Sequence, residues 1–275
     1  MSTIQASRIV TVTGTEIETV KATMTEKQRK RLMMVISPIV LLVIWELLVR
    51  IGVLNAMFFP APSTIVQAYI KAIATGQIAI DLKSSMLRVI LGFFAGAVPG
   101  VILGLSMGLF PIVRAIFEPI VATLYPIPKL ALMPLIMLIF GLGEKEKVIV
   151  IMLGVIFPVV INTAAGVLNL DKRYMDVAKN FGASKFNYYC TVAIPGSLSM
   201  IFTGLRLGIG MAVLLLVAAE MHGASAGIGY RIWTSYDLFD ITTMFVSFGL
   251  LALLGYIATV LVDEVEVRLI PWKQR

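Results

Sequence analysis

Histidine and cysteine are almost missing: His222 and Cys190 are the only ones among 275 residues. An internal disulfide and a cysteine cluster are therefore excluded, and a histidine-based metal site cannot be assembled within one chain. Cys190, after an aromatic stretch, reads as a small buried filler. The phosphate-cradling pattern G-x-x-x-x-G-K-[S/T] is also absent, so nothing here is built to hold a nucleotide. Charge is scarce, at 14% of residues. Only Glu46, Glu118, Lys129 and Arg206 fall at depth in apolar stretches, too few to converge on a catalytic centre. The net charge of +7 is scattered between apolar segments and forms no coherent basic surface, which argues against nucleic acid as a partner.

What fills the chain is apolar. Hydrophobic residues make up 59% and the mean hydropathy is +0.93, against roughly 45–50% apolar in soluble domains. Residues 89–113, 148–170 and 241–262 hold no Asp, Glu, Lys or Arg, and each reaches the roughly 20 residues a helix needs to cross a hydrocarbon core. Three further segments, 32–49, 116–140 and 196–219, complete a set of about six spans. The 116–140 segment is interrupted by Pro119, Pro126, Pro128 and Pro134, and a surface helix is expected over 64–73.

The Lys and Arg residues fall mostly on one side of these spans. Lys27, Arg29, Lys30 and Arg31 precede the first, Arg114 sits in a short connection, and Lys172, Arg173, Lys179 and Lys185 share the 171–195 interruption. Arg268, Lys273 and Arg275 lie at the other terminus. By the positive-inside rule both termini and the 171–195 loop face the cytoplasm. The expected organisation is a polar tail over 1–31, a membrane domain over 32–265 and a second tail over 266–275. Residues 1–31 lack the apolar core of a signal peptide.

Gly92, Gly96, Gly100, Gly104 and Gly108 recur every four residues. That spacing lines them along one helical stripe bare of side chains, against which another backbone can pack; Gly204 and Gly208 repeat the device.

The 171–195 loop carries the most specific pattern. Residues 175–181 read as a short helix with Val177 and Phe181 at i and i+4, able to present an apolar knob to a groove on a partner. Gly182 supplies the turn that ends it, a second amphipathic stretch covers 185–191, and Pro195 opens the next span. Asp176-Val177-Ala178, three residues, Gly182, nine residues, then Val192-Ala193-Ile194-Pro195 resembles the E-A-A…G…I-x-L-P loop of binding-protein-dependent ABC importer permeases. Ala178, Gly182 and Pro195 match it identically; Asp176 stands for Glu, Val177 for Ala, Val192 for Ile and Ile194 for Leu. Phe59-Pro60-Ala61-Pro62-Ser63, Tyr125-Pro126-Ile127-Pro128-Lys129 and Ala219-Glu220-Met221-His222-Gly223-Ala224 are similar to the nitrate, sulfonate, taurine and bicarbonate branch of those permeases.

The resemblance implies an all-α membrane protein of the type I importer (MetI-like) fold, with no enzymatic activity or cofactor of its own. It implies two separate ATPase subunits that bind the ATP, a second permease copy and an external substrate-binding protein. Asp176, Val177, Ala178, Phe181, Gly182, Val192, Ile194 and Pro195 would then form the loop that couples to the ATPase. Lys129 and Arg206 are the candidate pathway cations for a small anion such as nitrate, a sulfonate or bicarbonate. Each has a structural alternative: Lys129 can satisfy carbonyls freed by the neighbouring prolines, and Arg206 can pair with an acid such as Glu118. Glu46 and Glu220 are expected to cap or pair near the outer boundary. A secondary transporter is the competing reading, but no repeat of two matching halves is visible in the sequence.

Overall fold

The computed structural model describes residues 26–272, and within them the protein is helical with no strand. Most of the 1–31 tail, and the last three residues, lie outside the described residues. The first span is α1, Glu26–Arg50. The short α2, Pro62–Ala74, is the expected surface helix, and it starts where Pro62 can occupy the first turn without losing a hydrogen bond. Then come α3, Gln77–Leu109, and α4, Pro111–Leu124. A 3₁₀ turn over Lys129–Leu132 leads into α5, Met133–Phe140. The remaining helices are α6, Glu144–Leu168, α7, Lys172–Asn180, α8, Lys185–Tyr188, α9, Ile194–Met221, α10, Ile228–Asp237, and α11, Ile241–Leu269.

Five of these helices are long and apolar enough to cross a membrane, and six if α4 and the 129–140 segment form one broken span, bent by 88°. The break falls at Pro126 and Pro128, where missing N–H groups end the ladder. Two boundaries differ from the sequence expectation. α3 begins at Gln77 rather than near 89, since Asp81 and Arg88 are buried inside it. α11 runs to Leu269 and overlaps the expected second tail.

The core is a three-helix interlock. A methyl group placed on Gly92, Gly96, Gly100, Gly104 or Gly108 of α3 would lie 2.5–3.0 Å from side-chain or backbone atoms of α6, among them Ile151, Val155, Val159, Thr163 and Val167. From the other side, one on Gly204 or Gly208 of α9 would meet Asn162 and Val155 of α6 at 3.0–3.1 Å. α6 therefore lies between two glycine seams, and Val150, Ile151, Val155 and Val159 are fully buried along it. Substituting Gly96 with Val overfills a contact where the nearest atom is a carbonyl oxygen of Met152 at 2.6 Å. A loss of about 1–3 kcal/mol is expected from such overpacking. Gly210, whose added methyl meets nothing within 4 Å, is the control. In thermal melts of the detergent-purified protein, Gly96→Val should lower the midpoint and Gly210→Ala should leave it in place. Equal midpoints would refute the interlock.

Candidate functional site

At one end of the bundle the α6–α9 connection projects as a structured loop. Asp171 starts it, its carboxylate accepting from the Arg173 N–H at 2.9 Å. α7 then closes with the Ala183 N–H donating to the Ala178 carbonyl at 2.9 Å. Gly182 sits between them at φ 72°. This six-to-one hydrogen bond across a left-handed glycine is the Schellman stop. Ser184 opens α8, its hydroxyl accepting from the Asn187 N–H at 3.2 Å. The chain passes through a π turn at Tyr189–Ala193 into α9, with Pro195 in its first turn. Wide π turns inside helices are frequently found at functional sites.

Apolar side chains stand out from this loop. Phe181 is 88% exposed and Phe186 73%, with Val177 and Tyr174 exposed beside them. The base of the loop is fixed: Ala193 is fully buried, Val192, Ile194 and Pro195 are half-buried, and Tyr189 packs edge-on against Phe110 with ring centroids 5.8 Å apart. The aromatic residues thus stand exposed on a fixed stem instead of covering a core of their own, an apolar patch of the kind that marks interaction surfaces. Cys190, expected to be buried, is exposed on the stem.

The two candidate pathway cations have neighbours of their own. Lys129 Nζ donates to the carbonyls of Leu124, Tyr125 and Ile127, each at 2.9 Å, and lies 4.4 Å from the Phe157 ring centroid. Arg206 Nε donates to Asp263 at 2.7 Å and Nη2 to Glu266 at 2.6 Å. Its partners are thus on α11 rather than Glu118 on α4. Glu46 both caps and pairs: it accepts from the Ser63 N–H and hydroxyl at the start of α2, and from Arg50.

The end opposite the loop holds a buried polar layer that sequence reasoning did not assemble. Arg88 on α3 donates through Nε and Nη2 to both oxygens of Glu144 at 2.6 Å. Its Nη1 donates to Glu220 and to the Ala226 carbonyl, each at 2.7 Å. Glu220, fully buried, also accepts from the Ser85 hydroxyl and the Gly229 N–H. Ser85 in turn accepts from the Ile228 N–H, while Asp81 accepts from the Gly227 N–H and pairs with Arg231. Gly227, at φ 135°, comes so close that an added methyl would lie 2.5 Å from the Glu220 carboxylate. Lys147, also buried, donates to the carbonyls of Gly143 and Gly223 and to Glu146. Asp81, Ser85, Arg88, Gly92 and Gly96 follow one another at intervals of three or four. The polar layer thus continues the glycine stripe, a signal that was open to a helical-face reading from the start.

Membrane-length helices packed on glycine seams, with an exposed aromatic-tipped loop at one end, are the build of an integral membrane protein. Residues 100–270 match the family of binding-protein-dependent transport system inner membrane components. The chain is 31% identical over 239 residues to the taurine transport system permease protein TauC of Escherichia coli, covering 85% of this chain and 86% of that one. It is 33% identical over 236 residues to the putative aliphatic sulfonates transport permease protein SsuC of Bacillus subtilis, covering 86% of each. With the nitrate import permease protein NrtB of Leptolyngbya laminosa it shares 31% over 195 residues, 71% of this chain and 70% of that one. In fold it is similar to a chain of the MetNI methionine ABC transporter, with a TM-score of 0.59 at 16% identity, covering 69% of this chain and 94% of that chain. The protein belongs to the binding-protein-dependent permease family, as a multi-pass inner-membrane subunit of an ABC importer with the type I fold.

Proposed function

We propose that this chain forms half of the translocation pathway of an ATP-driven importer of a small solute bearing a sulfonate or oxyanion, such as taurine or nitrate. The observation that carries this reading is the exposed Phe181–Phe186 knob on a fixed stem. Asp176, Val177, Ala178, Phe181 and Gly182 form its docking helix and stop, and Val192, Ile194 and Pro195 anchor it to α9. The loop and both termini face the cytoplasm, where Lys172, Arg173 and Lys185 satisfy the positive-inside rule. ATP is bound and hydrolysed by two separate ATPase subunits docked on two copies of the loop. A second copy of the chain completes the pathway about a two-fold axis, and an external binding protein delivers the substrate. Lys129 braces the break between α4 and α5, and Arg206 ties α9 to α11; both act as structural fixings, which is in keeping with selectivity set largely by the binding protein.

The test is recovery of the tagged chain from its native membrane, with subunit identity and copy number read by mass spectrometry. An ATPase subunit at two copies per two permeases is expected. A chain that purifies alone, with transport indifferent to ATP depletion, would make it a secondary transporter.

A further inference from the structure

Between α3, α4 and α6, in the half of the bundle nearer the α7–α8 loop, lies a cavity of about 280 Å³. Its walls are mostly apolar, with Met107, Ile161 and Leu168 among them, and three polar side chains reach it from one face of α4: Arg114, Glu118 and Tyr125. Among the described side chains, every other buried or half-buried cation is engaged: Arg88 and Arg206 with two carboxylates each, Lys147 with Glu146, Arg231 with Asp81, and Lys129 with three carbonyls. Arg114, half-buried, is the contrast, and Glu118, one turn further along α4, stands exposed beside it. Neither side chain makes a hydrogen bond or ion pair among the described residues. Their order explains why they do not neutralise each other, because an acid four residues after a base is the weaker arrangement on a helix.

A cation and an anion one helical turn apart, about 5.4 Å along the axis, both unpartnered at one small cavity, are complementary to a ligand of opposite polarity. The geometry points to a binding site for a small zwitterion, its oxyanion held by Arg114 and its ammonium by Glu118, with the Tyr125 hydroxyl beside them. A sulfonate or phosphate joined to an ammonium by two carbons spans one turn, and the cavity lies near the lower end of the roughly 300–1,000 Å³ of ligand sites. That chemistry has two sources: a free aminosulfonate in transit, or the headgroup of phosphatidylethanolamine. The free-solute source rests on the importer function proposed above.

The test titrates taurine into the purified permease–ATPase assembly in phosphatidylglycerol nanodiscs, with isethionate, which lacks the ammonium, as comparator. Retained lipid is read by native mass spectrometry after exposure to phosphatidylethanolamine. Taurine should bind at least tenfold more tightly than isethionate. Arg114→Gln should lose at least tenfold for taurine, and Glu118→Gln should bring taurine down to the level of isethionate. If taurine does not bind, phosphatidylethanolamine retained by the wild type and lost from both variants supports the site with lipid as its source. Isethionate binding as tightly as taurine, or neither taurine nor phosphatidylethanolamine held better by the wild type than by the variants, overturns the proposal. Both variants should still recover the ATPase and keep their melting midpoints. Failure of the wild type to recover the ATPase would instead count against the importer function.

Discussion

Replacing Glu220 with Ala should remove most of the folded permease from the membrane. The carboxylate is the hub of the polar layer, joining α3 through Arg88 and Ser85 to the start of α10 through the Gly229 N–H. Without it the Arg88 guanidinium, whose side chain is 4% exposed, loses its buried counter-charge, and the Gly229 N–H loses its acceptor. Removing one partner of a buried ion pair costs about 3–5 kcal/mol, a large share of the roughly 5–15 kcal/mol that holds a protein folded. Glu144 does not compensate, because it is 65% exposed and already engaged by Arg88; Glu144→Ala should therefore cost much less, about 1 kcal/mol in keeping with exposed pairs. Glu220→Gln keeps an acceptor for Ser85 and Gly229 and should fall between the two. The double change Arg88→Met with Glu220→Met removes both charges together and should recover part of the loss. Fluorescence-detected size exclusion of tagged variants gives the ranking. A monodisperse Glu220→Ala peak of wild-type height and melting midpoint would show that the layer carries no stability.

Phe181→Asp should strip the ATPase from the permease while leaving the permease intact. At 88% exposure the ring has almost nothing to lose within the chain, so folding is unaffected. At an interface, truncating a central aromatic anchor costs about 2 kcal/mol or more, roughly 30-fold in affinity, and a buried unpaired carboxylate adds to it. Position 182 supplies an independent check through the backbone. Its φ of 72° lies in the left-handed region, which costs an ordinary residue about 1–2 kcal/mol, and nothing lies within 4 Å of an added methyl. The penalty there is purely conformational. Gly182→Asn, tolerant of that region, should keep coupling, whereas Gly182→Val should detach α7 from its stop and uncouple ATP hydrolysis from transport. Wild-type ATPase recovery in Phe181→Asp, or full transport in Gly182→Val, would place the docking surface elsewhere.

The spans, the stop at Gly182 and the glycine seam were legible because each rests on local spacing: charge-free runs, one left-handed glycine, and a four-residue repeat. The polar layer was less legible. Asp81 and Arg88 lie ahead of the charge-free run 89–113, so the expected span leaves them out, and Lys147 lies just ahead of the run 148–170 although it is buried in the first turn of α6. A charge whose partner lies 132 residues away, as Glu220 does from Arg88, leaves no local trace of its pairing. The same holds for Arg206 and Asp263, 57 residues apart. Lys129 differs, since its acceptors lie two to five residues away, and the prolines pointed to those carbonyls.

The glycine seams have a mechanical consequence. Side chains that meet tip to tip can slide past one another, but α6 is gripped by bare backbone on both flanks and tied at its start to α3 through Arg88 and Glu144. Neither register shifts nor rotations of α6 about its own axis are open to it, so α3, α6 and α9 behave as one lever. With 25 residues, α6 is about 37 Å long, and a tilt of about 10° applied at the docking loop swings its far end by about 6 Å. Under the importer function proposed above, a small push on the α7–α8 loop would reach the opposite end of the bundle as a displacement of that size.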